Sequence, residues 1–184
     1  MFSDIEGFTG ITERLPPAEV VAWLNEYFAA MTAVVYRHEG ILDKYIGDAM
    51  LMVWKDESLE RGARSAVLCA LEMNKVLAVI QEKWMAEGKR PVKIRIGISS
   101  GPVIIGEIGG PQRRELTVIG DAVNTASRLE ELNKNYQTDV ILSGCTFERT
   151  GGLIEVRSLG IVPIKGRRDP IPIYALLGLK HGLD

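Results

Sequence analysis

The chain has 184 residues, enough for one domain with a sizeable core. Hydrophobic residues make up 46% and charged residues 25%, a soluble-globular balance that excludes a disordered or membrane-embedded chain. A net charge of −2 excludes a bulk basic field for gripping nucleic acid, while a local basic cleft for one polyphosphate remains open. Cys69 and Cys145, far apart in sequence, make no disulfide framework, so a reducing, cytoplasmic setting is expected, with Cys69 a buried free thiol. No apolar run is long enough to span a bilayer and no signal peptide opens the chain, so this segment is not expected to insert in a membrane.

Met1 to Ile5 reads as the end of a strand whose beginning is missing, as in a domain excised from a longer protein. Residues 17–38 predict a long helix: Val20, Leu24, Tyr27, Met31 and Val34 recur at helical spacing, Pro16-Pro17 marks the start and Gly40 the end. Ile41 to Ile46 and Ala49 to Trp54 predict two strands around a tight Gly47-Asp48 turn. A second long helix follows over 58–87, with Ala63, Val67, Ala70, Leu77, Ile80 and Trp84 on one face and Gly88 closing it. Strands are expected at Val92 to Ser99, Val103 to Ile108 and Leu116 to Ile119, with Arg113 and Arg114 in a connection between the last two. A third helix over Asp121 to Asn133 precedes a strand at Val140 to Ser143, a short helix, and two strands near 153–164 and 171–177. No repeat, low-complexity tract or linker interrupts the run, so residues 1–184 read as a single domain. Strand, helix, strand, strand, helix, strand is the ferredoxin-like βαββαβ unit, here with a C-terminal extension. The expected architecture is an α+β sandwich, one sheet with helices on one side and an open face for a partner or substrate.

Asp4 ends the first strand and Asp48 occupies the hairpin that a ferredoxin-like sheet sets beside it. Two carboxylates meeting there suit Mg²⁺ or Mn²⁺, hard ions that take oxygen ligands and leave positions for substrate phosphates. Taken singly, Asp48 is better explained as a turn residue; the two together, in apolar flanks, favour metal. Asn124 and Arg128 are one helical turn apart and share a face, where Arg can steady charge on a phosphate and Asn can position a ribose. From spacing alone, a solvated helix face with Arg128 paired to Glu130 or Glu131 explains them better. Lys44, Arg95, Arg113, Arg114 and Lys165 are each most simply exposed charges. The glycines of residues 106–110 lack the Lys-Ser/Thr of a phosphate-binding P-loop, and His38 and His181 show no metal-ligand spacing.

Four segments together resemble the catalytic domain of class III nucleotidyl cyclases: Phe2-Ser3-Asp4-Ile5-Glu6-Gly7-Phe8-Thr9, Asp43-Lys44-Tyr45-Ile46-Gly47-Asp48-Ala49, residues 95–103, and Gly120-Asp121-Ala122-Val123-Asn124-Thr125-Ala126-Ser127-Arg128-Leu129. They lie in order along essentially the whole chain, and four in register are highly specific. The resemblance implies that Asp4, Asp48 and the backbone of Ile5 hold two Mg²⁺ or Mn²⁺ ions. It implies that Lys44 and Thr117 read the purine, that Asn124 and Arg128 stabilise the transition state, and that Arg95 and Lys165 contact phosphate. It further implies ATP as substrate, cyclic AMP and pyrophosphate as products, a homodimer with sites shared between protomers, and an upstream sensor or regulatory domain. No protein nucleophile is needed and no general base stands out; Asp4 or a water takes the proton. Thr117 departs from the Asp that many adenylate cyclases carry there, and Lys with Thr resembles the bacterial and soluble-type subgroup. Thr can still accept a hydrogen bond from the adenine amino group.

Three rival readings fit less well. A guanylate cyclase is expected to carry Glu in place of Lys44 and Cys or similar in place of Thr117. A catalytically dead dimerisation domain is expected to lack one of the two Asp, the Asn or the Arg. A diguanylate cyclase or polymerase palm shares the sheet and paired carboxylates, but the Gly-Gly-(Asp/Glu)-Glu-Phe hairpin of the diguanylate cyclases is missing.

Overall fold

The computed structural model describes residues 1–13, 15–55 and 59–180. His181 and the first predicted residue of the second long helix, Ser58, lie outside that set. The elements run β1 (Phe2–Ile5), α1 (Phe8–Thr12), α2 (Pro17–Arg37), β2 (Ile41–Ile46), β3 (Ala49–Val53), α3 (Leu59–Ala86) and β4 (Ile94–Ile98). Then come β5 (Ile104–Gly110), β6 (Arg113–Ile119), α4 (Asp121–Tyr136), β7 (Val140–Ser143), α5 (Gly144–Arg149), β8 (Ile154–Val162) and β9 (Ile171–Leu179). Seven strands form one sheet in the order β2-β3-β1-β4-β7-β9-β8. Its first four strands have the ferredoxin-like order, which sets β1 between the β2–β3 hairpin and β4, as the sequence pattern predicts.

Alternation along the strands divides the residues between two faces. Ser3 and Ile5 on β1, Met50 and Met52 on β3, and Ile94, Ile96 and Ile98 on β4 are buried. Most of these pack with Trp23, Tyr27 and Met31 of α2 and with Val67, Ala70, Met73 and Trp84 of α3 into the main core. Each such fully buried large apolar side chain contributes roughly 1.5–3 kcal/mol. The predicted stripe on α2 is correct but incomplete, since Trp23 is buried as well. Gly40 does not make the left-handed turn that ends α2: Glu39 does, at φ 59°. Gly40 is small for another reason, because a Cβ there would stand 2.7 Å from the Trp54 ring.

The expectation of helices on one side only is corrected by α4, which crosses the opposite face of the sheet. A Cβ on Gly97 of β4 would lie 2.0 Å from the Ala126 carbonyl oxygen and 2.4 Å from the Glu130 nitrogen, so glycine lets the α4 backbone lie directly on the strand. The Asn133 side chain donates to the Ile96 carbonyl at 2.9 Å. Leu129 packs with Ile141, Ile164 and Ile173 in a second core on this side. A second difference concerns Arg113 and Arg114, which belong to β6 and not to a connection. The pair β5–β6 runs in continuous register from Ile104↔Ile119 to Gly110↔Arg113 and stands apart from the main sheet as a two-stranded ribbon. Both cysteines are free, Cys69 buried and Cys145 exposed, and burial pushes the Cys69 thiol up to about 12. Among the described residues, no helix is long and apolar enough to cross a membrane.

Candidate active site

Antiparallel pairing of β1 with β3 ends at Ser3↔Met50, which leaves Asp4 beside the hairpin tip that carries Asp48. Gly47 takes φ 64° there, a conformation that favours glycine and turns the chain sharply enough to bring Asp48 round. On its other side Asp4 is register partner to Arg95 of β4. The carboxyl of Asp4 is pushed up to about 7. Partial burial is the main cause, followed by a side-chain hydrogen bond to Asp48 and that residue's negative charge; the Ile5 backbone and Arg95 oppose it. Glu130 of α4 is also buried and also pushed up to about 7, mainly by burial and then by the charge of Asp4. Arg95 is held at 2.7 Å by Glu6.

This corner concentrates carboxylate oxygen with little compensating cation. It therefore fits a divalent ion: Asp4 and Asp48 present hard oxygen ligands at one point, with the Ile5 backbone adjoining them. A consequence for stability follows from the raised Asp4 value. A carboxyl whose folded pKa of about 7 exceeds its ordinary 3.8 is favoured in its protonated form by folding. Its contribution is full below about 3.8 and is lost as pH rises through about 7. Asp4→Asn removes that penalty, so the variant's melting temperature in chelator should exceed wild type at pH 8 and match it near pH 4. Equal differences at both pH values in a thermal melt would contradict this.

The purine-reading candidates, Lys44 of β2 and Thr117 of β6, are joined through Asp43 and Glu115. The β2–β3 register passes from Leu42↔Met52 directly to Lys44↔Leu51, so Asp43 is the extra residue of a β-bulge. Asp43 and Lys44 both bond to β6: the Lys44 ammonium to Glu115, and the Thr117 hydroxyl to an Asp43 carboxylate oxygen at 3.2 Å. Glu115 and Thr117 are two apart on one strand and so share its face. Lys44 also stands 3.7 Å from Asp43.

Asn124 and Arg128 lie on the outer side of α4, Asn124 exposed and Arg128 half-buried. Arg128 pairs with Glu131 at 2.8 Å, while Glu130 points inward toward Asp4 and Arg95, which separates the two partners that spacing had left equivalent. Lys165 is exposed in the turn after β8. Two neighbours fix that turn against α4: Ile164 packs in the cluster around Leu129, and Arg167 forms an ion pair with Asp121 at the helix start. Among the described residues, no hydrogen bond or ion pair joins Lys44, Thr117, Asn124, Arg128 or Lys165 to Asp4 or Asp48. Sequence reading missed Asp43, Glu115 and the inward role of Glu130. The bulge at Asp43 leaves no mark in residue type, and Glu130 differs from Glu131 only by its angle around α4.

The profile of the adenylate and guanylate cyclase catalytic domain matches residues 1–178, and the chain belongs to that family. It is 37% identical over its whole length to adenylate cyclase 1 of Rhizobium meliloti (strain 1021), covering 28% of that protein. It is 34% identical over 95% of its length to the adenylate cyclase of Anabaena cylindrica, covering 35% of it. The chain thus spans about a third or less of these two relatives. Among solved structures, the adenylyl cyclase CyaB from P. aeruginosa matches with a TM-score of 0.89 at 30% identity, covering 100% of this chain and 94% of that one. The guanylyl cyclase Cya2 matches at 0.86 and 33%, covering 100% and 92%.

Proposed function

We propose that the chain converts ATP to 3′,5′-cyclic AMP and pyrophosphate in two sites shared across a head-to-tail homodimer. The observation that supports this reading is that, among the described residues, Lys44, Thr117 and Arg128 bond to neighbours other than Asp4 and Asp48. On this reading Asp4, Asp48 and Arg95 of one protomer work with Lys44, Thr117, Asn124, Arg128 and Lys165 of its partner, as a two-fold interface allows. Exposed apolar side chains on the ribbon and β2 support such a contact: Ile104 is 74% exposed, Leu116 63%, Ile46 50% and Tyr45 45%.

In this site the ribose 3′-hydroxyl attacks the α-phosphorus in line and gives its proton to Asp4 or a water, while the bond from the α-phosphorus to the bridging oxygen breaks and pyrophosphate leaves. Asp4, Asp48 and the Ile5 backbone would hold two Mg²⁺ or Mn²⁺ ions, which would supply Lewis acidity and neutralise polyphosphate charge. Arg128 meets the charge that grows on the α-phosphate, and Asn124 orients the ribose. Arg95 and Lys165 hold phosphate oxygens. Lys44 donates to adenine N1, and Thr117 accepts from the 6-amino group. That donor–acceptor pattern favours ATP over GTP, a choice the fold does not make, since both adenylyl and guanylyl cyclases share it. The same reading places the domain in the cytoplasm, under an upstream sensor of the kind the extra length of its relatives can hold.

The test is product analysis of the purified chain with ATP or GTP and Mn²⁺ or Mg²⁺. Cyclic AMP from ATP is expected, with GTP much poorer. Lys44→Glu with Thr117→Cys should lower ATP use and raise the share of GTP turned over. Unchanged ATP kinetics in that double variant would remove the purine-reading assignment.

A further inference from the structure

Thr117 is an ambiguous reader of a base. Its hydroxyl has one proton to donate and two lone pairs to accept with, so alone it satisfies either the 6-amino group of adenine or the 6-oxo group of guanine. Its neighbours remove that ambiguity. The Asp43 side chain is only 8% exposed and its Oδ2 takes the Thr117 proton at 3.2 Å. An ionised carboxylate only accepts, so the proton has no competing orientation there. The bulge at residue 43 makes this possible, because it turns Asp43 toward β6 together with Lys44.

We propose that Asp43 is a positioning residue that holds the Thr117 hydroxyl as an acceptor toward the purine, and so sets the preference for adenine over guanine. The inference rests on the assignment of Lys44 and Thr117 as the purine-reading pair. With its proton committed to Asp43, Thr117 offers lone pairs only: a 6-amino group donates to them, and a 6-oxo group meets oxygen against oxygen. Lys44 completes the pattern. Its ammonium carries three N–H groups; Glu115 takes one and Asp43 stands 3.7 Å away, so the ammonium offsets one of the two carboxylate charges and keeps a donor for N1.

The experiment uses the whole chain with Mn²⁺ and three substrates: ATP, GTP, and purine riboside triphosphate, which keeps the N1 acceptor but lacks the 6-amino group. Wild type should lose about tenfold in kcat/KM when the amino group is missing. Asp43→Ala should erase most of the difference between ATP and purine riboside triphosphate and lower the ATP-to-GTP ratio by about tenfold, whatever its effect on the overall rate. A merely structural role would depress all three substrates together. Asp43→Asn, of the same shape, should also lower the ratio because its amide can donate to the hydroxyl, and it serves where the Ala variant fails to fold. On a Thr117→Ala background, Asp43→Ala should move the ratio no further. Unchanged ratios in the folded Asp43 variants, or uniform loss on all three substrates, overturn the role of Asp43 while leaving Thr117 as reader. Thr117→Ala with an unchanged ATP-to-GTP ratio overturns the purine-reading assignment itself.

Discussion

Asp48→Asn, like Asp4→Asn, should lower cyclic AMP formation by about a thousandfold or more, with the fold and the dimer intact. The magnitude comes from the charge the paired carboxylates must supply. A divalent ion at this corner is asked for several kcal/mol of the barrier, and each 1.36 kcal/mol is tenfold in rate. Asn keeps the shape and one oxygen but loses the negative charge that holds a hard cation. The structure makes the expectation two-sided. Burial first, then the hydrogen bond to Asp48 and that residue's charge, push the Asp4 carboxyl up to about 7, so neutralising Asp4 removes the cost of burying its charge and neutralising Asp48 relieves repulsion. Activity should therefore collapse while thermal stability at neutral pH holds or rises, a combination that simple misfolding does not produce. Steady-state rates with Mn²⁺, circular dichroism and size-exclusion chromatography on the same preparations check it. Near-wild-type turnover in either variant would remove the two-metal reading.

Mixing Asp4→Ala with Arg128→Ala should restore activity that neither variant has alone. Each variant by itself is nearly inactive as a homodimer, because every site lacks one essential group. In a mixed dimer, one site receives both lesions and the other receives none. Free exchange at equal concentration makes roughly half the dimers mixed, each with one intact site of two, so activity should recover to about a quarter of wild type. The geometry of the single chain motivates this: Arg128 is engaged with Glu131 and makes no ion pair with Asp4. Specific activity of wild type should also fall on dilution, since a lone protomer holds no complete site. Absence of complementation, with subunit exchange shown independently by a labelled protomer, would mean that each site lies within one chain.

Much of this protein is legible from local pattern. Apolar spacing marks α2 and α3, turn residues mark the β2–β3 hairpin, and the ferredoxin-like order of elements places Asp4 next to Asp48 before any coordinate is known. These features depend on residues near one another in sequence, or on a topology with few alternatives. Tertiary structure decided the rest. The sequence marks α4 as a helix but not which face of the sheet receives it; Gly97, whose missing Cβ admits the helix backbone, settles that. Spacing leaves Glu130 and Glu131 equal as partners for Arg128, and only the rotation of α4 on the sheet sends one inward and the other to the Arg. The bond from Thr117 to Asp43 joins residues 74 positions apart, across a ribbon and a bulge that no local propensity encodes. Residue type states what a side chain can donate or accept; the packing of distant elements determines which group it meets.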